Sequence, residues 1–430
     1  MNVLIVGSGG REHAMAAKIK QSPLCSRLYV APGNAGTKAI AENLDIDVLD
    51  FEHIGKVCIE KEITLLVVGP EVPLAAGIRD YFEADSNLQH IKIIGPGKVG
   101  AQLESSKDFS KNLMKKYNIP TAASKTFTTD TLQEGIEYVK RHTLPVVLKA
   151  DGLAAGKGVV IAETHQQAVE VLTDMIAQKK FGEASKKVVV EEYLQGIELS
   201  VFILSDGQSY ILLPEAKDYK RIGEGDTGPN TGGMGAVSPV PFATPEFLQK
   251  VKHKIIEPTL HALRSEGIAY SGFIFFGLMN VNGEPFVIEY NARMGDPETE
   301  VVWPRIESDA LEMLVACAEK KLNDYTLKIS PQTATTVMLV AEGYPGDYKK
   351  GYEISGLEQV EDVLVFHAGT KQDGNKIVTN GGRVLALTAF GETIEKAIQK
   401  SNAAAQRIHW SGRYYRKDIA FDLIKLTNIP

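Results

Sequence analysis

The first hundred residues alternate short apolar runs with helix-like stretches, and this alternation strongly limits the possible folds. Each apolar run reads as a buried strand and ends in a Gly/Pro-rich loop. The four runs are "VLIVGSGG" (3–10), "LYVAPGNAG" (28–36), "LLVVGPE" (65–71) and "IKIIGPG" (91–97). Stretches 11–21 and 74–84 between them resemble helices. Buried strands that alternate with helices form a parallel, doubly wound α/β sheet. Such a sheet binds ligands at the carboxyl ends of its strands.

Composition excludes several classes of protein. The chain has 430 residues and a net charge of −7, with no Lys/Arg-rich block, so we expect no nucleic-acid partner. No apolar run approaches the roughly 18 residues of a membrane span, and the N-terminus lacks the cationic start of a signal peptide. Its three cysteines are far apart, which favours buried thiols in a reducing compartment. The chain is therefore predicted to be cytoplasmic, with about two to four domains.

The N-terminal "GSGGREHA" only partly matches a dinucleotide-binding fingerprint. Gly7 and Gly9 fit its first two glycines, but Glu12 occupies the third position, where close helix packing favours a small residue. The glycine turn suits any anionic ligand, and Gly9 and Gly10 could equally hold a monophosphate. His13 is interpreted as a core or helix-surface histidine.

The stretch "LKADGLAAGKGVV" (148–160) resembles a phosphate-binding loop but not a Walker A loop. Gly152, Gly156 and Lys157 have the wrong spacing, and Gly158 stands where a Ser or Thr hydroxyl would bind magnesium. "PVVLKA" before the loop and "GVVIA" after it both read as strands. We therefore predict a glycine-rich hairpin that closes over a polyphosphate as a flap.

Two further stretches carry polar residues in unusual settings. Glu198 lies between apolar positions in "GIELSV", where a carboxylate needs a partner such as a ribose. The segment "GEGDTGPNTGGMGAVSP" (223–239) reads either as a flexible surface loop or as a substrate loop. We favour the substrate loop because long irregular loops inside compact domains are often functional.

The segment "GFIFFGLMNVNGEPFVIEYNARMGDPET" (272–299) gives the strongest local indication of a binding site. "NG" at 282–283 predicts a hairpin. On its second strand, period-2 alternation puts Glu289, Asn291 and Arg293 on one face. The other face receives Phe286, Ile288 and Tyr290. The polar set suits oxygen-ligated Mg²⁺ with phosphate, although an exposed polar face would have the same pattern. Asp296 and Glu298 add two acids nearby.

Together these stretches resemble the ATP-grasp superfamily, and within it the phosphoribosylamine–glycine ligase family. The resemblance rests on "GSGGREHA", "APGNAGT", "VGPEVPL", "KADGLAAGKGV", "DTGPNTGGMGA", "EYNARMGDPET", "YPGDY", "FHAGT" and "TNGGRV", which extend in order from residue 7 to residue 384. It implies an α/β ATP-grasp fold with an N-terminal Rossmann-like parallel-sheet domain and a C-terminal β-rich domain. The implied division is 1–104 for the N-terminal domain, 105–194 for the small lid subdomain with its lead-in helix, 195–328 for the large subdomain, and 329–430 for the C-terminal domain.

The resemblance also assigns the nucleotide site. ATP would contact Lys107, Lys149, Gly152, Gly156, Lys157 and Gly158 with its phosphates, Glu191, Glu192, Tyr193 and Leu194 with its adenine, and Glu198 with its ribose. Glu289 and Asn291 would bind Mg²⁺ or Mn²⁺. A second metal carboxylate is usual on the preceding strand of ATP-grasp enzymes, but Gly277 stands there in this chain. The number of metal ions is therefore left open.

The implied reaction joins glycine to 5-phosphoribosylamine with ATP, through a glycyl phosphate, in purine synthesis. Arg293, Asp296 and Lys149 are the implied catalytic residues. The implied substrate contacts are Gly9, Gly10, Arg11, Glu12, Glu71, Asn230, Gly233, Met234, Asp296, Pro297, Glu298 and Arg383. The expected partners are small molecules only, and we expect a monomer.

The residues leave three alternatives open. Another ATP-grasp ligase or carboxylase of purine metabolism would share the adenine hinge (191–194) and the strand that carries Glu289 and Asn291, but not "NTGGMGA" together with "GDPET". A nicotinamide-dependent dehydrogenase would explain "GSGG" and nothing after residue 100. A non-catalytic nucleotide sensor would have no need to keep Glu289, Asn291 and Arg293 together.

Overall fold

The N-terminal part is a five-stranded parallel sheet, as the alternating pattern predicts. The computed structural model describes residues 1–153, 158–178 and 186–427. The strands are β1 (Asn2–Gly7), β2 (Arg27–Pro32), β3 (Glu42–Asn43), β4 (Leu65–Val68) and β5 (Lys92–Ile94), in the order β3-β2-β1-β4-β5. Its helices are α1 (Gly10–Ile19), α2 (Phe51–Glu60), α3 (Glu71–Ala76), α4 (Ile78–Ala84) and α5 (Gln102–Ser105). The helix-like stretch 74–84 forms two helices because Gly77, with φ +94°, interrupts it.

The next segment forms a small antiparallel sheet backed by two helices. Helix α6 (Lys107–Lys116) leads into it, and Ser106 caps that helix by accepting a hydrogen bond from the Phe109 N–H. The other elements are β6 (Ser124–Thr128), α7 (Leu132–Arg141), β7 (Val146–Ala150), β8 (Val159–Ala162), α8 (His165–Ile176) and β9 (Lys187–Glu192). The strand order is β6-β9-β7-β8. Strands β7 and β8 pair antiparallel around the glycine-rich loop, which confirms that it joins two strands.

The large subdomain contains a second antiparallel sheet, in the order β11-β10-β16-β17. In chain order, the strands of the large subdomain are β10 (Ile197–Ser205), β11 (Tyr210–Leu212), β12 (Lys217–Asp218), β13 (Arg221–Gly223), β14 (Thr227–Asn230), β15 (Gly235–Ser238), β16 (Gly272–Val281) and β17 (Glu284–Asn291). Its helices are α9 (Pro245–Val251), α10 (Glu257–Ser265), α11 (Thr299–Val302) and α12 (Ala310–Ala318). The predicted hairpin at 282–283 is confirmed, since Asn282 and Gly283 both have positive φ.

The C-terminal part is rich in β structure and shares a sheet with the large subdomain. It contains β18 (Thr333–Val340), β19 (Leu364–His367), β20 (Thr370–Asp373), β21 (Lys376–Thr379), β22 (Arg383–Gly391), α13 (Ile394–Arg407) and α14 (Phe421–Thr427). One sheet has the order β12-β15-β18-β22-β19 and therefore crosses the predicted boundary between residues 328 and 329. The division into four parts stays a prediction.

Two buried apolar clusters contain residues from more than one part of the chain. One apolar cluster contains Val3 and Ile5 of β1 together with Phe202 of β10 and Trp303. A second cluster joins β10, β16 and β17 to β18, β22 and α13. The small sheet β6-β9-β7-β8, called the lid sheet below, has a separate core beneath α7 and α8. No helix in the described ranges is long and apolar enough to cross a membrane.

Candidate functional site

The predicted nucleotide-site residues lie where the lid sheet faces the sheet of the large subdomain, in the space called the cleft below. Val146, Leu148, Val188 and Val190 face the lid's own helices. Period-2 alternation therefore turns Lys149 and Glu191 to the opposite face. The Lys149 ammonium reaches across the cleft and donates to the Ile288 carbonyl of β17 at 3.2 Å. This contact brings the lid next to Glu289.

A buried charge cluster forms the lid side of the cleft. One oxygen of Glu191, Oε2, lies 3.0 Å from the Lys149 Nζ and 3.1 Å from the Lys111 Nζ. All three side chains are buried. Burial lowers the pKa of Lys111 to about 8. Sequence reasoning assigned no role to Lys111, although it lies four residues after Lys107 on the same helix and therefore on the same face.

The start of the glycine-rich loop is attached to the N-terminus of α6. The Asp151 carboxylate accepts from the Asp108 N–H at 2.8 Å and from the Ser106 hydroxyl at 3.1 Å. The Lys107 ammonium donates to the Gly152 carbonyl at 3.2 Å. Burial lowers the pKa of Lys107.

The remaining predicted loop residues are divided between described and undescribed parts of the chain. Gly158 closes the strand pair by accepting from the Ala150 N–H at 2.8 Å. Gly156 and Lys157 lie outside the described residues. The prediction that the loop covers a polyphosphate therefore depends, in the described part, on Lys107, Lys149, Gly152 and Gly158.

The side chains of the predicted adenine hinge, residues 191–194, point in different directions. Glu191 points into the cleft, whereas Glu192 is exposed and accepts from the Ala123 N–H. Tyr193 is exposed, and Leu194 is half-buried. A cavity of about 1020 Å³ lies beside Glu192 and Tyr193, between α7 and the hinge. Lys125 lines this cavity and pairs with Val190, and Val190 faces the lid core. The cavity is therefore on the opposite side of the lid sheet from Lys149.

Glu198 has a protein partner in addition to any ligand. The Lys220 ammonium donates to its Oε2 at 2.7 Å, and Lys220 lowers the pKa of this carboxyl. Asp218 lies in the same small pocket, where burial and the neighbouring Glu198 and Glu289 raise its pKa. Asp218 and Lys220 were missed from the sequence, because the short strand β12 gives little local pattern. Because Lys220 binds Oε2, the other oxygen of Glu198 can still accept from a ligand hydroxyl.

The predicted metal residues lie on β17, whose alternation is interrupted by a bulge. Gly277 pairs with Glu289 and Leu278 pairs with Val287, so Ile288 is an extra residue on β17. Ile288 therefore lines the same pocket as Glu289, and the prediction that it takes the opposite face is wrong. Asn291 remains on the face of Glu289, separated from it by the buried Tyr290.

Glu289 and Asn291 offer one carboxylate and one amide oxygen to the predicted metal ion. Within the described residues no group of three His, Cys, Asp or Glu side chains is arranged to hold a metal ion. A Cβ on Gly277 would lie 3.1 Å from the Glu289 Cγ, so a larger residue there would press on Glu289. A carboxylate and an amide oxygen fit Mg²⁺ or Mn²⁺ when substrate oxygens and water supply the other ligands.

Arg293 is held by two carboxylates from the N-terminal part. Its Nη2 lies 2.8 Å from Glu104 Oε1, and its Nε lies 3.3 Å from Glu71 Oε2. Glu104 also accepts from the Ala292 N–H at 2.8 Å. Burial raises the pKa of Glu104. Arg293, predicted as catalytic, therefore lies beside Glu71, predicted as a substrate contact, and Glu104 is a partner that was missed.

Arg383 brings the C-terminal part to the cleft. Its Nη2 lies 2.8 Å from Asp296 Oδ1, and its Nη1 donates to the carbonyls of Gly232 and Asp296 at 2.7 Å. Gly233, with φ +121°, lies against the ring of Pro297, where a Cβ would collide with that ring. The motifs "NTGG", "GDP" and "NGGR" thus meet at one place.

The N-terminal glycine turn is stabilised by Glu12. This carboxylate accepts from the Gly9 N–H and from Arg11 Nε, each at 2.6 Å. It occupies the space that side chains on Gly7 and Gly69 would need. The absence of a small residue at position 12 is thus explained, because those glycines make room for Glu12. Gly10 lies at the N-terminus of α1, against the buried Glu300.

The glycine-rich loop 223–239 is only partly available to a substrate. Its β13–β14 hairpin is held by the C-terminal segment, since the Arg416 guanidinium donates to Asp226 at 2.7 Å. Asn230 is exposed at the end of β14. Met234 is fully buried in the core, so its side chain does not face the cleft as the substrate prediction implies. The loop turns inward at Met234, which belongs to the same apolar cluster as residues of β10, β16 and β18.

Two buried carboxyl groups follow Asp296. Burial, together with Asp218, raises the pKa of Glu298 to about 7, and the Ser200 hydroxyl donates to it at 3.0 Å. Burial, together with Asp296, raises the pKa of Glu300 well above its usual range. Neither oxygen of Glu300 has a hydrogen-bond partner among the described residues. Glu300 is thus a buried protonatable acid near Arg383, whereas Glu298 lies beside Ser200 and Asp218.

His13 is a core histidine, which was one of the two interpretations kept for it. Its Nδ1 accepts from the His367 N–H at 2.8 Å. The ring packs edge-on against Phe366, with centroids 5.7 Å apart. Asn34 supports the same contact by donating to the His367 carbonyl at 2.7 Å. These bonds connect the N-terminal and C-terminal parts behind the site.

Family comparison matches nearly the whole chain. Residues 1–104 match the phosphoribosylglycinamide synthetase N domain, 105–299 match the ATP-grasp (A) domain of the same family, and 334–422 match its C domain. The three domains occur in that order, without overlap.

Individual proteins give the same result. A phosphoribosylamine–glycine ligase from Haemophilus influenzae is 45% identical over 430 residues, covering 99% of each chain. One from Vibrio cholerae is 46% identical over 429 residues, again covering 99% of each. A solved phosphoribosylamine–glycine ligase from Thermotoga maritima superposes with a TM-score of 0.83 at 35% identity, covering 97% of this chain and 100% of that one. Biotin carboxylase from Campylobacter jejuni shares the fold, with a TM-score of 0.71 at 18% identity, covering 99% of this chain and 95% of that one.

Proposed function

The chain belongs to the phosphoribosylglycinamide synthetase family and is an ATP-grasp carbon–nitrogen ligase, and we propose how its residues divide the work of joining glycine to 5-phosphoribosylamine. The products of the ligation are glycinamide ribonucleotide, ADP and phosphate. The observation that carries the proposal is the cleft itself. Lid cations and the oxygen ligands of β17 meet in it, through the contact between Lys149 and the carbonyl next to Glu289.

The chemistry requires an activated carboxylate. The oxygen of a glycine carboxylate does not leave readily, so the γ-phosphate of ATP is first transferred to it and gives glycyl phosphate. The amine of phosphoribosylamine then attacks the acyl carbon and expels inorganic phosphate. Such a reaction depends on positioning and on charge neutralisation, and needs no nucleophilic side chain.

The nucleotide end of the cleft is assigned to the lid. Lys107 and Lys149 donate to the ATP phosphates, and Glu198 accepts from the ribose hydroxyls with the oxygen that Lys220 leaves free. Glu289 and Asn291 hold Mg²⁺ or Mn²⁺, which, when bound, neutralises charge on phosphate oxygens. The buried position of Asn291 and the half-buried position of Glu289 support this assignment.

The substrate end is assigned to arginines held by carboxylates. Arg293, fixed by Glu71 and Glu104, orients the reacting carboxylate and phosphate. Arg383 and Asp296, together with the turn at Gly9 and Gly10, bind the sugar phosphate. The convergence of three distant segments on Arg383 supports this second assignment.

The experiment is a phosphate-release assay with ATP, glycine and freshly prepared phosphoribosylamine, each omitted in turn. Phosphate release that needs all three supports the ligase. A carboxylating enzyme would need bicarbonate in place of glycine, and a nucleotide sensor would bind ATP without turnover. Nicotinamide reduction without ATP would support the dehydrogenase alternative.

Glycine labelled with ¹⁸O in its carboxylate tests the intermediate in the same assay. Transfer of one label to inorganic phosphate per turnover supports the glycyl phosphate. Label in AMP, with release of pyrophosphate, would instead require an adenylate.

The setting of the reaction is part of the proposal. The enzyme works as a monomer on small molecules in the cytoplasm, where its three free thiols stay reduced. Neither nucleic acid nor a membrane takes part. Gel filtration with light scattering tests the oligomeric state, and a dimer would contradict it.

A further inference from the structure

Lys111 is a buried cation that has no role in the proposed reaction. Its side chain is 6% exposed, and it extends from α6 to the inner face of the lid. Its ammonium contacts Glu191 Oε2 at 3.1 Å and donates to the Thr121 hydroxyl at 2.7 Å and to the Ala122 carbonyl at 3.3 Å. A buried ammonium is costly unless it is paired, so this arrangement needs an explanation.

We propose that Lys111 is a positioning residue which, through Glu191, orients the Lys149 ammonium and leaves its positive charge available to the ATP phosphates. The proposal rests on the proposed function, since it takes Lys149 as a phosphate ligand. Lys111 itself touches no substrate.

The first argument for this role is the net charge of the cluster formed by Lys111, Lys149 and Glu191. Two ammonium groups share a single carboxylate oxygen, at 3.0 and 3.1 Å, so the cluster holds a net charge of +1. If Lys111 were neutral, Glu191 would form a one-to-one pair with Lys149 and cancel its charge. The cleft would then attract a polyphosphate less strongly, because a buried charge is poorly screened by solvent.

The second argument is the way in which the Glu191 carboxylate is bound. Both lysines are bound at Oε2, whereas Oε1 is buried and has no hydrogen-bond partner among the described residues. Lys111 and Lys149 therefore hold the carboxylate by the same oxygen. Without Lys111 the carboxylate could rotate, and Lys149 would lose its fixed direction.

A third observation connects Lys111 to the metal strand. The Thr121 hydroxyl that Lys111 binds also donates to the Val287 carbonyl at 2.7 Å, and the Val287 N–H donates to the Pro120 carbonyl at 2.8 Å. Val287 lies two residues before Glu289 on β17. Lys111 thus joins the hinge strand β9 to the strand that carries the metal ligands, which keeps the phosphate cations in register with the metal.

The test compares Lys111→Met with Lys115→Met, an exposed lysine one turn further along the same helix. We expect Lys111→Met to raise the KM for ATP by about tenfold or more, the range of a lost charge-assisted contact. The KM for glycine should change little. Lys115→Met should match the wild type, and Lys111→Arg should recover part of the ATP affinity because it keeps the charge.

A double-mutant cycle with Glu191→Gln separates positioning from a general packing defect. If Lys111 acts through Glu191, then adding Lys111→Met to the Glu191→Gln variant should change the KM for ATP by less than about threefold. The double variant also removes both partner charges, so it gives a usable measurement if Lys111→Met alone fails to fold. Thermal unfolding of each variant verifies folding.

The outcomes are distinct from failure of the proposed function. If wild-type protein releases no phosphate with glycine and phosphoribosylamine, the proposed function fails, whatever the variants do. If the wild type is active and Lys111→Met has the KM for ATP of Lys115→Met, the positioning role is overturned. Full additivity of Lys111→Met and Glu191→Gln would overturn it as well.

Discussion

At the scale of single residues, the site consists of cations and carboxylates that hold one another in place. Glu191 binds two lysines, Arg293 binds Glu71 and Glu104, and Arg383 binds Asp296. Each cation is thus fixed before any ligand arrives. Fixed donors lose little entropy on binding, which is the advantage of preorganisation.

Removing the lid cation should weaken ATP binding. Lys149→Met loses a charge-assisted contact worth about 1.5–3 kcal/mol, so we expect ATP affinity or turnover to fall by about tenfold or more. Initial rates at limiting and saturating ATP measure the effect. The exposed Lys115→Met is the control, and an unchanged rate at both ATP concentrations would remove Lys149 from the site.

Changing the metal ligands should alter the metal dependence of the rate. Glu289→Gln should nearly abolish turnover and shift the Mg²⁺ titration of activity to higher concentration, because an amide binds Mg²⁺ more weakly than a carboxylate. Asn291→Ala should have a milder effect in the same direction. Normal Mg²⁺ titrations for both variants would make this strand structural.

Arg383 should matter to one substrate more than to the others. Arg383→Ala removes a guanidinium that lies beside Asp296 and the "NTGG" turn. We expect the KM for phosphoribosylamine to rise by about tenfold or more, with a much smaller change in the KM for ATP. The opposite pattern of KM changes would assign Arg383 to the nucleotide.

At the scale of elements, the site depends on how strands and helices end. The β17 bulge puts Ile288 beside Glu289, and the left-handed turn at 282–283 sets the register of that hairpin. The glycine-rich loop begins where Asp151 caps α6, so the helix and the loop are anchored together. A change in one element end therefore alters the position of another.

Loss of the Asp151 carboxylate should affect the helix and the loop together. Asp151→Ala removes acceptors for the Asp108 N–H and the Ser106 hydroxyl. We expect the free energy of unfolding to fall by about 1 kcal/mol, as for other lost helix caps, and the KM for ATP to rise. Urea unfolding and ATP kinetics measure both effects. Asp130→Ala, an exposed acid of the same subdomain, is the control, and equal behaviour of the two variants would contradict the prediction.

At the scale of the whole molecule, the cleft depends on contacts between segments far apart in the chain. Arg383 and Asp296 meet across the C-terminal and large parts, and His13 meets His367 across the N-terminal and C-terminal parts. The sheet that contains β15 and β18 makes the large and C-terminal parts one structural unit. We therefore expect these two parts to unfold together.

Acid should weaken the contact between the N-terminal and C-terminal parts. Burial lowers the pKa of His13 to about 3 and that of His367 to about 4, so both are neutral in the folded protein near pH 5. In the unfolded chain they gain protons below about pH 6.5. The free energy of unfolding should then fall as the pH drops from about 6.5 towards 4, by up to about 1.4 kcal/mol per pH unit for each histidine.

Urea unfolding midpoints across this pH range, for wild type and variants, test that prediction. His13→Asn keeps an acceptor near the position of Nδ1 but cannot titrate, so its pH dependence should be shallower. His90→Asn, which changes an exposed histidine, should keep the wild-type slope. A wild-type slope in His13→Asn would mean that other groups cause the acid sensitivity.

The sequence alone determined the elements whose cause is local. Buried apolar runs, the "NG" hairpin and the strands on both sides of the glycine-rich loop follow from alternation and turn chemistry, which act within a few residues. The motifs also indicate the family without any geometry. Tertiary structure decided the partners. Glu12 fits against Gly7 and Gly69, Met234 packs into the core, and Glu191 binds Lys111 as well as Lys149. Such choices depend on packing and charge pairing between segments far apart in the sequence, and local patterns carry no information about which distant side chain will fill a given space.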